Sequence, residues 1–428
     1  MSRVLNHELI FNICPDRYVD LPTYCCHGGY TALKKVLEQA PETAIKEIEE
    51  AGLRGRGGAA FPTANKIKMV RSNPSDLRYI ICNADEGEPG TFKDRFIMTH
   101  IPFQLLEGIT IAAFLAGAGH GYIYIRHEYP EAQRIMRESI IEAQKSGLLG
   151  SNIMGSSYNF TLELFSGAGS YLCGEETALI SSIEGKKGRP RLKPPYPTEA
   201  GLWNKPTLIN NVETLSNIPK IIQNGAKWYR SLGTQDSPGT KLISLSGDVN
   251  RRGLYEVPFG ISFNQIINKY GEGTKPGRAI KAVNIGGASG VLIPPDLLDT
   301  PLEYLACAKT GITIGSGAVF VLDDTRSILA NVHNRLRFFL HESCGKCTPC
   351  REGLRQTNII MDRLLSRKAV KTDIDTLTRY TRAIQDASFC GLGQAAGNSL
   401  HSSLMYYAEE YLAACQDNQL SHNKEVTA

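Results

Sequence analysis

The sequence predicts an α/β protein followed by two smaller parts, and three patterns carry that reading. Between residues 78 and 180 short apolar runs alternate with helical stretches, the order expected of an open α/β sheet. Around 240–325 the texture changes to a small mixed sheet carrying one helix. From His333 to about Leu412 the pattern is helical at a 3.6-residue period, broken only at two cysteine sites.

The chain has 428 residues, of which 21% are charged and 42% apolar. That suits an ordinary globular protein of about three domains with a sizeable core. A net charge of +4, dispersed along the chain, gives no footprint for nucleic acid. The first twenty residues lack a charged lead followed by an apolar core, so no signal peptide is expected and the compartment reads as cytosolic. There, eleven cysteines point to metal or redox chemistry rather than disulfides. Cys14, Cys25, Cys26, Cys82, Cys307 and Cys415 are expected to be plain small hydrophobes.

In order along the chain, residues 28–51 read as helical, with Pro41 at a helix start and Gly52 at its end. LRGRGGAAFPTANK follows, at 53–66. Gly55, Gly57 and Gly58 permit close backbone approach to a ligand, with Arg56 and Lys66 for phosphates. GRGGAA satisfies G-x-G-x-x-A literally, but it follows a helix, whereas the dinucleotide fingerprint follows a strand.

RYIIC is a short buried strand ending in a polar burst of Asn83, Asp85, Glu86 and Glu88. Ligands of open sheets sit at strand carboxyl ends, so these groups read either as acceptors for ring N–H groups or ribose hydroxyls, or as a solvated turn. A helix at 102–116, the strand GYIYIR and a helix from near Glu131 come next. The weakly charged run Ile109–Ile125 is too short to span a bilayer and reads as a helix end, a glycine turn and a strand.

FTLELFS then opens into GAGSYLCGEETALI, strand, glycine loop and helix, an order that suits anion binding at a helix N-terminus. Gly167, Tyr171 and Gly174 belong to this loop. Glu175 and Glu176 begin the helix, either favouring it electrostatically or meeting ribose hydroxyls, since carboxylates repel phosphate. Residues 185–214 read as a long irregular stretch. Its basic residues from Lys186 to Arg191, with Lys193, could take phosphates, and Tyr196 among prolines could stack on a base. Asn210 and Asn211 open the next helix, which includes Thr214.

HESCGKCTPCREG places Cys344, Cys347 and Cys350 at three-residue spacing, and Cys390 follows forty residues later. Three thiolates from one loop and a remote fourth follow the ligand logic of a [4Fe–4S] cluster. A structural zinc site is the alternative, with His333 or His341 near enough in sequence to join it.

GRGGAAFPT, CNADEGEPGTFKDR, GAGSYLCGEETALI, PRLKPPYP, NNVET, ESCGKCTPCREG and CGLG occur in this order in residues 28–412. As a set they resemble the NADH-binding flavoprotein subunit of respiratory complex I. The resemblance implies a Rossmann-like FMN- and NADH-binding α/β domain (1–238), a small ubiquitin-like α+β domain (239–325) and a helical bundle carrying a [4Fe–4S] cluster (326–415). A frayed tail (416–428) would follow.

It further implies hydride transfer from NADH to FMN and single-electron transfer to the cluster, without a catalytic acid–base pair. Gly55–Ala64 would help form the NADH site. Asn83 and Asp85 would bond the flavin, and Glu88 would lie near the nicotinamide. Gly167–Thr214 would hold FMN and part of the NADH, with Asn210, Asn211 and Thr214 near the phosphate or ribityl chain. Glu175 and Lys193 would contact the nucleotide, Glu175 near the adenosine ribose disfavouring NADPH; Phe61 and Tyr196 would flank the adenine.

The implied partners are a small thioredoxin-like [2Fe–2S] subunit and a large multi-cluster subunit, with quinone reached only through other subunits and no direct membrane insertion. The implied location is the cytoplasmic face of the inner membrane, held through the complex. The family pattern usually reads GRGGAGFPTGxKW; here Ala60, Ala64 and Ile67 stand instead, and the two added methyls are expected to narrow the site or shift the backbone. A related reading is the diaphorase subunit of a soluble NAD-linked hydrogenase or formate dehydrogenase. Such subunits often carry an additional N-terminal iron–sulfur domain, for which about fifty residues before GRGG leave no room. A zinc-stabilised assembly module is the non-catalytic alternative.

Overall fold

The computed structural model describes residues 9–11 and 18–416, so Cys14 and the tail from 417 lie outside the described residues. Strands β1 (Tyr79–Ala84), β2 (His120–Ile125), β3 (Thr161–Ser166) and β4 (Thr207–Asn211) form a parallel sheet in the order β3-β2-β1-β4. Almost every residue of β1 is buried, as in a central parallel strand covered on both faces. The sheet grows outward from β1 through β2 to β3, whereas β4 adds on the opposite side. The reversal at β1/β4 is a topological switch point, where such sheets leave a crevice at the strand carboxyl ends.

The expected helices are present at Pro41–Ala51, Pro102–Ala116 and Pro130–Lys145. Pro102–Ala116 is buried nearly all round and packs on the Val212–Asn224 helix. At their closest approach, a Cβ on Gly108 would fall 2.1 Å from the Leu215 carbonyl oxygen, so only glycine fits. This helix ends at Gly117 before β2, as read from the Ile109–Ile125 run. Among the described residues no single helix is long and apolar enough to cross a membrane.

One stretch of the first part departs from expectation. The 185–214 stretch contains a short helix, Pro197–Ala200, and the strand β4. TLINN is too short and polar to announce itself; it becomes a strand by pairing with β1 from Tyr79↔Thr207 to Asn83↔Asn211.

A second sheet contains β5 (Thr240–Gly247), β6 (Gly253–Pro258), β7 (Ile280–Ile285), β8 (Val291–Ile293) and β9 (Ala318–Asp323) in the order β6-β5-β9-β7-β8. The central β5 and β9 are parallel and the other pairs antiparallel, with a helical segment at 263–270 between β6 and β7. This is the ubiquitin-like arrangement. A second helix, Tyr304–Lys309, was not expected; its six residues are too few to show a period.

The bundle is built from Ile328–Glu342, Thr348–Leu365 and Lys371–Ala387, followed by three shorter helices. Leu336, Phe339, Leu354, Met361, Leu377 and Ile384 fill its core. The cysteine loop separates the first two helices, and Cys390 opens the turn after the third.

Candidate functional site

A cleft of ≈ 950 Å³ opens where β1 and β4 end. It lies at the upper end of the roughly 300–1,000 Å³ common for small-molecule sites. Gly55, Gly57, Gly58, Phe61 and Lys66 line one wall, and Asn83, Asn210, Asn211 and Thr214 line the floor. Gly174, Glu175, Glu176, Lys193 and Tyr196 complete it. A Cβ on Gly57 would stand 2.9 Å from Asn211 Cβ, so this loop reaches the floor only as glycine. Phe61 and Tyr196 are 42% and 52% exposed, which leaves two aromatic faces free at the rim.

Two polar groups are left over inside the cleft. Asn210 Nδ2 and Thr63 Oγ1 are buried without a hydrogen-bond partner, and both residues line it. Orphaned donors of this kind are what a bound ligand satisfies, so the lining fits a polar, ring-bearing cofactor. Thr63 was not singled out from the sequence, although FPT at a helix start was visible. Asn211 differs from its neighbour. Its Oδ1 accepts from Lys93 Nζ (3.1 Å) and Glu213 N (3.0 Å), and its Nδ2 donates to Asp94 Oδ2 (2.7 Å).

Five of the residues expected at the site do not line the cleft: Arg56, Asp85, Glu88, Gly167 and Tyr171. Arg56 is turned inward. Its guanidinium donates to the Tyr229 and Tyr304 hydroxyls and to Pro238 O, and it lies 4.6 Å from the centroid of Phe259. Its backbone N–H donates to Thr214 Oγ1, so the residue braces the glycine loop and does not present a cation to phosphate. Gly167 packs on Tyr124, where a Cβ would stand 2.9 Å from the ring.

Asp85 lies just behind the wall. Its Oδ2 has no partner and would be 3.6 Å from a Cβ on Gly174, and burial pushes its carboxyl up to about 7 against the pull of Arg126. Glu88 accepts from Tyr171 Oη (2.7 Å), Ser289 N (2.8 Å) and Ser289 Oγ (2.9 Å). Glu86 is buried and accepts from Asp94 N and Arg95 N in the first turn of the Lys93–His100 helix.

The two glutamates at the helix start share one lysine, and only the first caps the helix. Glu175 is the N-cap, its Oε2 accepting from Thr177 N, Ala178 N and Thr177 Oγ1. The other Glu175 oxygen accepts from Lys193 Nζ at 2.9 Å, and Glu176 faces the same Lys193 at 2.7 Å and Lys66 at 3.6 Å. Burial alone would raise the Glu176 carboxyl, but the two ammonium groups outweigh it and hold it below its usual range. Among the basic residues of 186–191, Lys186 and Arg191 pair with Glu184, and none lines the cleft; Lys193 alone of that basic group does.

Only one of the added methyls reaches the cleft. Ala60 lines it, in a left-handed conformation at φ 53°. Ala64 and Ile67 are in the core, on the inner face of the Thr63–Ser72 helix. A non-glycine residue held left-handed costs about 1–3 kcal/mol. Ala60→Gly should therefore stabilise the protein by about 1 kcal/mol after the added freedom of the unfolded glycine is offset, read as a higher unfolding temperature.

Beneath the floor is a charge cluster that sequence reasoning missed. Lys93 Nζ lies 2.6 Å from Asp94 Oδ1 and 3.0 Å from Glu213 Oε2. Lys241 reaches across from β5 to the same Glu213 oxygen at 2.5 Å, and all four residues are buried. Lys93 and Asp94 sit in FKDR and Glu213 in NNVET, but nothing local marks those charges as buried.

Cys344, Cys347, Cys350 and Cys390 line one small pocket with Leu172, Pro190, Phe389 and Leu392. All are free thiols, and burial pushes Cys350 up to about 11. Four sulfur donors in an apolar enclosure fit an iron–sulfur centre. Among the described residues no three His, Cys, Asp or Glu side chains converge closely enough for a single metal ion; the thiols instead surround the pocket. His333 lies 3.1 Å from Asp362, and His341 is exposed beside Glu342; neither joins the thiols. Of the cysteines read as small hydrophobes, Cys82 and Cys307 are buried, whereas Cys25 and Cys26 are exposed.

The two pockets share a wall. Cys390 lines the thiol pocket and Gly391 the cleft; Leu172 and Gly174 divide in the same way. Consecutive α-carbons are about 3.8 Å apart.

Residues 48–220 match the family model of the Nuo51 FMN-binding domain, and residues 330–414 that of the NADH-ubiquinone oxidoreductase-F iron-sulfur binding region. A relative in Rhizobium meliloti, the second F-type subunit of its NADH-quinone oxidoreductase, is 44% identical over 95% of this chain and 96% of its own length. NADP-reducing hydrogenase subunit HndC of Solidesulfovibrio fructosivorans is 43% identical over 92% of this chain and 81% of its own length. The crystal structure of a NAD+-reducing [NiFe]-hydrogenase in the H2-reduced state aligns with TM-score 0.84 at 38% identity, over 94% of this chain and 68% of that one. Cleft and thiol pocket both fall within the matched segments, and with near-full-length relatives agreeing, the chain belongs to the family of F-type subunits of NADH-quinone oxidoreductase.

Proposed function

We propose that this chain is the electron-input subunit of a proton-pumping NADH:quinone oxidoreductase. It takes hydride from NADH onto FMN and passes single electrons to a [4Fe–4S] cluster. The observation that carries this reading is the shared wall, with Cys390 on one side and Gly391 on the other. Bound FMN supplies the exchange between two-electron and one-electron chemistry.

The chain's residues bind and orient. Phe61 and Tyr196 offer stacking faces, and Lys66 and Lys193 place ammonium groups inside the cleft. Asn83 Nδ2 ties β1 to Gly174 O at 2.8 Å, fixing the glycine turn against the floor. Asn210 keeps a donor free. Gly55, Gly57, Gly58 and Thr214 shape the wall and floor, while Arg56, Asp85, Glu88, Gly167 and Tyr171 act from behind. Orientation of the reacting rings is the protein's main contribution, and no acid–base side chain is required.

The subunit works within a multi-subunit complex. Its proposed neighbours are a small thioredoxin-like [2Fe–2S] subunit and a large multi-cluster subunit, at the cytoplasmic face of the inner membrane. Boundaries near 238/239 and 325/326 would separate the three parts. The likeness to HndC and to the [NiFe]-hydrogenase structure favours a second reading, the electron-transfer subunit of a soluble NAD(P)-linked hydrogenase. Co-purification separates the two: membrane subunits support the first, a hydrogenase the second.

Anaerobic purification with a small partner subunit, with spectra taken before and after NADH, tests the central reading. Bleaching of a flavin band over an iron–sulfur shoulder supports it. A colourless protein carrying zinc would overturn it.

Nucleotide preference is predicted to depend on Glu175 and Glu176 together. Glu175→Gln weakens a helix cap, at about 1 kcal/mol, and also takes one carboxylate from Lys193, so it should lower the preference for NADH, by less than Glu176→Gln does. Glu176→Gln leaves Lys66 and Lys193 with one carboxylate fewer, which favours an additional phosphate. The preference for NADH should fall about tenfold, equivalent to about 1.4 kcal/mol, in kcat/KM measured with each nucleotide.

A further inference from the structure

Lys346 lies between Cys344 and Cys347 and lines the thiol pocket with them. Its ammonium is held from two sides. Nζ donates to Pro190 O at 2.7 Å and stands 3.7 Å from the centroid of the Phe389 ring. Phe389 is itself part of the pocket, adjacent to Cys390, and its backbone N–H points at Cys347 Sγ at 3.5 Å.

The carboxylates flanking the loop are engaged elsewhere. Glu342 accepts from Tyr171 N and lies beside His341, and Glu352 pairs with Arg351. A cation is thus fixed at the wall of the thiol pocket, and among the described residues no carboxylate pairs with it.

We propose that Lys346 sets the reduction potential of the four-cysteine centre, its ammonium stabilising the reduced form. The proposal rests on the reading that these thiols hold a [4Fe–4S] cluster. Reduction adds one electron, and so one negative charge, inside an apolar enclosure. A fixed positive charge at the wall lowers the energy of that state relative to the oxidised one. The Phe389 ring adds a cation–π attraction that keeps the ammonium from swinging into solvent. Pro190 also matters, because it precedes Lys193 by three residues on the same loop. The contact that pins the ammonium therefore joins the wall of the thiol pocket to the wall of the cleft.

The test uses the assembled complex with Lys346→Met, Lys346→Arg and Phe389→Leu. Cluster and flavin midpoint potentials are measured by redox titration, together with iron content. Lys346→Met should move the cluster midpoint to more negative values and leave the flavin midpoint in place. Lys346→Arg should restore it, and Phe389→Leu should shift it the same way by less. Because the ammonium stands at the rim, the Lys346→Met shift should shrink as salt is raised.

A cluster midpoint unchanged at low salt in both Lys346→Met and Phe389→Leu, with iron intact, overturns the proposal. If Lys346→Met loses its iron, Phe389→Leu decides alone, since it leaves every cysteine and the lysine in place. A wild-type complex holding zinc in place of iron would overturn the cluster reading itself, before any variant is compared.

Discussion

Replacing Cys347 by serine should abolish the iron–sulfur signal while NADH still reduces the flavin in a single turnover. Cys347 is the N-cap of the Thr348–Leu365 helix, in extended conformation, and serine is a favoured residue there. The helix should therefore survive, and the variant isolates the loss of one sulfur donor from any loss of fold. The remaining thiols, Cys344, Cys350 and Cys390, are too few to hold the centre at full occupancy. Electron delivery to a quinone or an artificial one-electron acceptor past the centre should fall at least about 100-fold, the upper range for disturbed metal shells. Iron content, the electron paramagnetic resonance signal and stopped-flow flavin bleaching measure the three quantities separately. Undiminished delivery in a variant depleted of iron would show that electrons leave by another route.

Glu213→Gln should be strongly destabilising for so conservative a change. Glu213 is fully buried between Lys93 and Lys241, and its other oxygen accepts from Leu242 N at 3.0 Å. Removing one member of such a cluster leaves uncompensated charge in the interior and costs about 3–5 kcal/mol. The cluster joins the first sheet's Val212–Asn224 helix to β5 of the second, so the loss should appear as earlier separation of those parts on heating. Adding Lys241→Met to Glu213→Gln should recover part of the loss, because the orphaned ammonium is removed with its partner. Asn211, oriented by Lys93 and Asp94, should lose its fixed position, and flavin occupancy should drop with stability.

Acid titration gives a second reading of the same residue. Burial alone would raise the Glu213 carboxyl, but Lys241 and Lys93 outweigh it and hold it below its usual range. A carboxyl depressed in the fold contributes stability that is present above its unfolded value, near 4.3, and is lost as pH falls through the folded value. Wild type should therefore lose stability on acidification below about pH 4. Glu213→Gln, already lacking the contribution, should show a shallower acid slope in denaturant titrations at stepped pH.

Much of the chemistry was legible locally. Three cysteines in one loop and a fourth beyond it specify a sulfur-ligated centre by spacing alone. Pro41, Pro102 and Pro130 begin helices, and Gly52 and Gly117 end them, as their backbone preferences require. The glycine loop, the polar end of β1 and the Gly174–Glu176 turn were each visible as candidate ligand-facing segments; the loop, the turn and, of the polar end, Asn83 alone meet in one cleft.

What stayed hidden depends on partners distant in sequence. TLINN is a strand because β1 lies beside it. Arg56 points inward because Tyr229, Tyr304 and Pro238 supply acceptors from residues far along the chain. Lys93, Asp94, Glu213 and Lys241 carry ordinary surface residue types, and only packing removes them from water. Glu175 and Glu176 are adjacent and chemically identical, yet one caps a helix and meets one lysine while the other meets two. By itself the sequence determined the donor atoms and the local backbone, which follow from residue type and spacing. The tertiary structure alone decided which side chains are buried and which face the cleft, and that Cys390 and Gly391 lie on opposite sides of one wall, because burial and long-range pairing arise from contacts that neighbouring residues do not encode.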